Sequence, residues 1–254
     1  MDEQKVLQDL ISMSQILGKP ENDYVILGEG NTSAKVNDDF FYVKASGKYL
    51  SHSDEHTFVK VKSKDALAIL DKGELTDAQI KNELSSAKAD QSNPLLPSIE
   101  TTFHSFLLTL PGVNFVGHTH ATAVNSLLCS KNAKELIMGG RLFPDEIVYC
   151  GIEPIFMEYH DPGLGLGREI REQANAYMDR NGCPPRVILI RNNGIIAIGK
   201  NAHQVEAITA MYCKVARALL GAVGFGGVNY LSEENVNRIY TRPDEEQRTR
   251  QFEK

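Results

Sequence analysis

The chain has no excess of basic residues. Its 27 Lys and Arg are outnumbered by 33 Asp and Glu, giving a net charge of −6. That excludes non-specific nucleic-acid binding, which needs a basic face. It does not exclude a small anionic substrate, which a few local cations can hold inside an acidic protein. No consecutive apolar run approaches the length of a membrane span. The opening Met1-Asp2-Glu3-Gln4-Lys5 lacks the basic-then-apolar pattern of a secretory signal, so the sequence reads as cytoplasmic, with no membrane partner. Cysteine is scarce: Cys129, Cys150, Cys183 and Cys213 are widely spaced, form no Cys-x-x-Cys pair and have no neighbouring His that marks a nucleophile. They read as reduced thiols. Repeats and low-complexity segments are missing too. What remains is an ordinary globular balance, 42% apolar and 24% charged over 254 residues.

Helical periodicity predicts a helix over 2–17, carrying Val6, Leu7, Leu10, Ile11 and Ile16 and broken at Lys19-Pro20. β-like runs follow at 24–27, 33–36 and 40–44, with Gly28-Glu29-Gly30-Asn31-Thr32-Ser33 as a polar loop between the first two. A strand is expected at 58–61, then a helix capped by Ser63 and running to about 70. Residues 85–97 read as a polar loop, after which Ser98 caps a helix to about 110. A buried strand at 113–117 delivers His118-Thr119-His120 into a helix at 121–128. Further on, strands are expected at 152–157, 187–190 and 195–198, the last two joined by an Asn-Gly type turn. Helices are expected at 164–181, ending at Asn181-Gly182, at 201–220, and in a polar tail after 231. Strands and helices interleave with no linker. This predicts one α/β domain over 1–254, with 220–254 as a C-terminal packing arm.

His118 and His120 stand two apart at a strand end, so both side chains point to one face and can chelate a divalent cation such as zinc. His-x-His alone is a weak pattern. Its address, a strand running into a helix start, is where active sites of α/β sheets lie. Glu100 falls in the first turn after Leu96-Pro97-Ser98. A lone Glu there is ordinarily a solvated acid favoured by the helix dipole; beside a metal it can be a ligand or a general acid/base. His104, one helical turn on, either orients that site or is a satisfied core histidine. Lys44 and Lys48 flank Ser46-Gly47 and could draw an anion, though strand and turn lysines are ordinarily solvated. Gly28-Glu29-Gly30 lacks both the Lys-Ser/Thr of a P-loop and the full dinucleotide glycine pattern.

Taken in order, Gly30-Asn31-Thr32-Ser33, Ala45-Ser46-Gly47, Leu96-Pro97-Ser98-Ile99-Glu100 with His104, and Gly117-His118-Thr119-His120 resemble the class II aldolase/adducin family. Asp161-Pro162-Gly163 and Asn192-Asn193-Gly194 continue the resemblance, which spans about 5–220. It implies a three-layer α/β/α sandwich around a largely antiparallel mixed sheet. It implies a metal-dependent lyase that makes or breaks a C–C bond in a small hydroxylated carbonyl compound or sugar phosphate through a metal-stabilised enediolate. His118, His120 and Glu100 would be the zinc ligands, with Glu100 also the catalytic acid/base. Asn31, Thr32, Ser46, Gly47 and Ser98 would bind substrate phosphate. A homo-oligomer such as a tetramer is implied as well, with a proton-donating tyrosine for which Tyr149, Tyr159 and Tyr230 are candidates. Epimerase or decarboxylase chemistry uses the same scaffold, and a non-catalytic adducin-like module is the alternative. The sequence departs from the family twice. Asn193 stands where the third histidine ligand belongs, leaving Asn193 or His160 as a weak ligand, and Ile99 replaces a serine.

Overall fold

The structure, a computed structural model, describes residues 2–244. Its sheet has seven strands: β1 Asn31–Lys35, β2 Phe40–Lys44, β3 Phe58–Lys62, β4 Phe115–Thr119, β5 Ile155–Met157, β6 Val187–Ile190 and β7 Gly194–Gly199. Their spatial order is β3-β2-β1-β4-β7-β6-β5. Every neighbouring pair is antiparallel except β5 with β6. The helices are α1 Glu3–Leu17, α2 Ser63–Ala68, α3 Asp77–Ser86, α4 Thr101–Leu107, α5 Thr122–Leu128, α6 Ala133–Met138, α7 Pro144–Cys150, α8 Leu164–Asn181, α9 Ala202–Gly224 and α10 Glu233–Tyr240.

Strand alternation divides the apolar side chains between two cores. On one face Phe41, Val43, Val116, Ile188 and Ile196 pack against α4 and α8 through Phe103, Leu107, Leu166 and Ile170. On the other, Ala34, Phe115, Leu189, Ile195 and Ala197 meet α1, α5 and α9 through Leu10, Met13, Leu127, Val205 and Ile208. The result is a three-layer α/β/α sandwich. Each fully buried Leu or Ile stabilises it by about 1.5–3 kcal/mol. The ends are set locally. Asp2 caps α1 by accepting from the Gln4 N–H. Gly182 closes α8 at φ 68, a left-handed conformation that glycine takes without strain.

Several expectations need correction. Residues 24–27 form no strand: Leu27 sits at φ 52, and Glu29 folds its carboxylate back onto the Ile26 N–H, so the extended run turns over. β1 begins at Asn31, inside the segment read as a loop. The residue before α2 is Lys62 rather than Ser63, with no side-chain cap. Ser98 does not cap α4; Glu100 occupies that position. Helix α3, capped by a Thr76–Gln79 capping box, lies in a stretch given no element. α6 and α7 are likewise additional. The turn at 191–193 bends through Asn192 at φ 55, not through its glycine. By length and composition α9 is long and apolar enough to cross a membrane. One of its faces, with Val205, Ile208, Tyr212 and Ala216, is spent on the second core. In the expected packing arm, α10 inserts Val236; residues 245–254 lie outside the described residues.

Candidate active site

The middle strand, β4, lies between β1 and β7, and its pairings fix the site. His118 pairs with Asn31 on one side and Ile196 on the other. Its ring is wholly buried, and Nδ1–H donates to the Ile195 carbonyl at 3.1 Å. That bond sets the tautomer and leaves Nε2 with a free lone pair, as a metal-ligating histidine requires. His120 follows just past the strand end, with its Nε2 3.1 Å from that of His118. Burial, aided by His118, pushes the His120 pKa down to about 3, so its imidazole is neutral.

Two glycines make this crowding possible. A Cβ on Gly194 would stand 2.3 Å from the Thr119 carbonyl, 2.9 Å from His120 Cδ2 and 3.2 Å from His118 Cε1. Gly30, at φ 66, brings the preceding loop so near that a Cβ would lie 2.5 Å from the His118 carbonyl.

Glu100, 7% exposed, places Oε2 3.7 Å from His118 Nε2. A chain of hydrogen bonds holds it there. Asn31 Nδ2 donates to Glu100 Oε2 at 2.5 Å, and Asn31 Oδ1 accepts from His104 Nε2–H at 2.5 Å. The Ser33 hydroxyl donates to His104 Nδ1 at 2.7 Å. His104 is fully buried, and desolvation keeps its pKa well below the usual value. A neutral His104 with Nε2–H can only donate to an amide oxygen, so the Asn31 NH2 must face Glu100. Ser33 was expected only as part of the Gly30-Asn31-Thr32-Ser33 loop that the resemblance assigns to phosphate; here its hydroxyl is bonded to His104. Its alternation with Asn31 along β1 is the signal that places both on one face.

The other expected site residues are distributed differently. Thr32 points to the opposite face, where its hydroxyl bonds Ser14 at 2.7 Å. Ser98 Oγ receives the Glu100 N–H at 3.3 Å and lies 3.4 Å from Asn31 Nδ2. Ser46 and Gly47 are exposed, in a turn beside the Gly28 loop. Lys44 is not solvated. It is 2% exposed, and its ammonium donates to the carbonyls of Gly28 at 3.3 Å and Lys48 at 2.5 Å. Burial lowers its pKa to about 8, partly opposed by the negative charge of Glu100. The Asn193 side-chain oxygen is buried with no hydrogen-bond partner, next to the glycine that covers both imidazoles. His160 lies half-buried in the loop after β5 and makes no hydrogen bond or ion pair among the described residues. Of the tyrosines, Tyr159 donates to Asp161 and Tyr230 to the Leu136 carbonyl.

Residues 8–220 match the family model described as the Class II Aldolase and Adducin N-terminal domain. The chain belongs to this family. A relative, the Uncharacterized oxidoreductase YuxG of Bacillus subtilis (strain 168), is 27% identical over 207 residues. Those residues are 78% of this chain but 27% of YuxG, so the chain spans only a minor part of that relative's length. Among solved structures, the N-terminal class II aldolase domain of a conserved Thermoplasma acidophilum protein aligns with TM-score 0.66 and 25% identity, over 84% of this chain and 93% of that one. L-fuculose-1-phosphate aldolase from Thermus thermophilus shares the fold at TM-score 0.58 and 13% identity, over 90% of this chain and 100% of that one.

Class II aldolases use a divalent metal, and the donors here can be tested against one. Two imidazole ligands of a tetrahedral zinc, each at about 2.0–2.1 Å, stand about 3.3 Å apart. The two Nε2 atoms are 3.1 Å apart and both rings are neutral or fixed in the ligating tautomer. No group of three His, Cys, Asp or Glu able to hold a metal is complete among the described residues. The donor set therefore fits an ion held by the imidazole pair, with Glu100 3.7 Å from His118 Nε2 to add to it, rather than a closed cage.

Proposed function

We propose that this class II aldolase family member is a divalent-metal-dependent lyase that breaks or forms a C–C bond in a small hydroxylated carbonyl compound. The observation that supports this most is the facing Nε2 pair of His118 and His120, with Glu100 3.7 Å from the first. The two imidazoles would hold the ion, and zinc suits such ligands. When bound, the ion supplies Lewis-acid stabilisation of negative charge developing on a substrate oxygen. Proton movement falls to Glu100. Its Oε2 is gripped by the Asn31 amide 3.7 Å from His118 Nε2, where a general base could take a hydroxyl proton from a group bound beside the pair and return it. His104 and Ser33 keep that amide turned the right way throughout. A homo-oligomeric working unit, as a tetramer, belongs to the same reading.

The incomplete third ligand favours one alternative, a non-catalytic adducin-like module. Elemental analysis of purified protein beside a His118→Ala/His120→Ala variant separates the two. The lyase reading expects about one ion per chain in the first and none in the second. Equal content in both sinks it.

A further inference from the structure

We propose that Glu29 is a positioning residue for the metal site: its carboxylate, facing His120 Nδ1, holds the ring proton on that nitrogen and so opens Nε2 to the ion. This rests on the lyase reading above and adds to it a residue outside the ligand set.

The two imidazoles are not equally provided for. His118 has its Nδ1–H committed to the Ile195 carbonyl at 3.1 Å, which fixes the lone pair on its Nε2. His120 has no such bond, and its Nδ1 makes no hydrogen bond to any described residue. A neutral imidazole carries its one proton on either nitrogen, and here the choice decides what the pair can do. With the proton on Nε2, His120 donates across the 3.1 Å gap to His118 Nε2, and the pair closes on itself. Both inward lone pairs are then spent. With the proton on Nδ1, both Nε2 atoms offer lone pairs to one cation.

Glu29 is the acid that meets the outer nitrogen, with Oε1 3.9 Å from His120 Nδ1. That is about 1 Å longer than a hydrogen bond. The carboxylate still acts through its charge: it favours an N–H dipole turned towards it and repels a ring lone pair in the same place. The proton is thereby drawn away from the nitrogen that faces His118. Asn125, the amide in the same cleft, leaves its oxygen buried without a partner and so does not take this role.

The loop that carries Glu29 is built to hold it there. Glu29 Oε2 receives the Ile26 N–H at 3.0 Å, and the Glu29 N–H donates to the Ile26 carbonyl at 3.1 Å, which leaves Oε1 for the histidine. Between them Leu27 takes φ 52, a left-handed conformation that a bulky residue adopts only when its surroundings impose it. On the other side Gly30 is pressed against the His118 carbonyl, where a Cβ would stand 2.5 Å away. A strained turn thus fixes the carboxylate beside the end of the strand that delivers both histidines.

The test compares wild-type protein with Glu29→Gln and Asp23→Asn. Glutamine keeps an oxygen for the Ile26 N–H but removes the charge that faces Nδ1. Asparagine at 23 removes one charge from the same cleft, at a residue that pairs with the Thr122 hydroxyl instead of the ring, and keeps an oxygen for that hydroxyl. Zinc affinity is measured by chelator competition. In the metal-free protein, the ring-nitrogen chemical shifts of His120, assigned with His120→Ala, report which nitrogen bears the proton. Glu29→Gln is expected to weaken zinc binding about tenfold and to move the His120 proton from Nδ1 towards Nε2, and Asp23→Asn to do neither. A loss in Glu29→Gln no larger than that in Asp23→Asn, or an unchanged proton position, overturns the inference and leaves the lyase reading standing. Wild-type protein that binds no zinc sinks the lyase reading, and the role of Glu29 at the ion with it.

Discussion

Gly194→Ala is the most incisive single substitution available, because one methyl group meets the sheet and both imidazoles at once. The new Cβ would stand 2.3 Å from the Thr119 carbonyl oxygen, where a carbon and an oxygen on adjacent strands normally keep about 3.3–3.6 Å. The obstacle is backbone, so no rotamer relieves it, and β4 and β7 must part by about 1 Å. Such a displacement strains the Thr119–Ile195 and His118–Ile196 pairings. Overpacking of this kind costs about 1–3 kcal/mol. Restricting the unfolded chain returns about 0.4–1 kcal/mol, so the net loss is at most about 2.6 kcal/mol. The site suffers more than the fold. The same Cβ would lie 2.9 Å from His120 and 3.2 Å from His118, while metal–ligand distances tolerate only about 0.2 Å. Urea unfolding of the metal-free protein measures the first effect, and chelator competition measures the second, expected to be at least about tenfold in affinity. Gly165→Ala is the control. It lies in the first turn of α8 with nothing within 4 Å of its Cβ, and should be neutral or stabilise by less than about 1 kcal/mol. An alanine at 194 that changes neither unfolding nor metal affinity would refute the claimed closeness of β7 to the histidine pair.

Two further outcomes follow from the buried polar groups. His104→Leu removes the donor that orients the Asn31 amide, so Glu100 loses its directed N–H. Turnover should fall about 10–100-fold with metal content retained, and metal lost in proportion to turnover would show that His104 serves the ion instead. Lys44 titrates at about 8 in the folded chain, against 10.5 for an ordinary lysine. Between those values the unfolded chain keeps a proton that the folded chain has lost, so this group makes unfolding free energy rise with pH. Below about 8 the burial penalty is complete and constant. Wild-type stability measured against Lys44→Met should therefore improve from pH 8 to 10.5, and a flat difference would show that Lys44 is not desolvated.

The parts of the fold legible in the sequence are those with sustained periodicity or clear stop signals. α1 and α8 have long apolar stripes closed by a glycine, and β6 and β7 are apolar runs on either side of a turn. The short α6 and α7 lack a stripe long enough to read, while α3 announced itself only by its Thr76-x-x-Gln79 start. In the site, the shared orientation of His118 and His120 follows from the two-residue period of a strand. The roles of Asn31 and Thr32 did not, because they turn on where β1 begins. Once Asn31 is inside the strand, it and Ser33 face Glu100 and His104, and Thr32 must face α1. The depth of Lys44 was equally hidden. It depends on the Gly28 and Lys48 carbonyls closing over the ammonium, and those loops come from either side of β2.

The pairing of β4 with β1 and β7 also has a kinetic meaning. His118 acquires its neighbours from Asn31, far earlier in the chain, and Ile196, far later. No local hairpin can bring these groups together, so the entropy of two long loop closures precedes the first contact that rewards them. The histidine pair and its clamp on Glu100 consequently take shape only when the middle of the sheet closes. A ligand that recognises this arrangement has nothing to grip in a partly folded chain. Its binding free energy is felt by the whole sheet as resistance to global unfolding, not as a local stiffening of one loop.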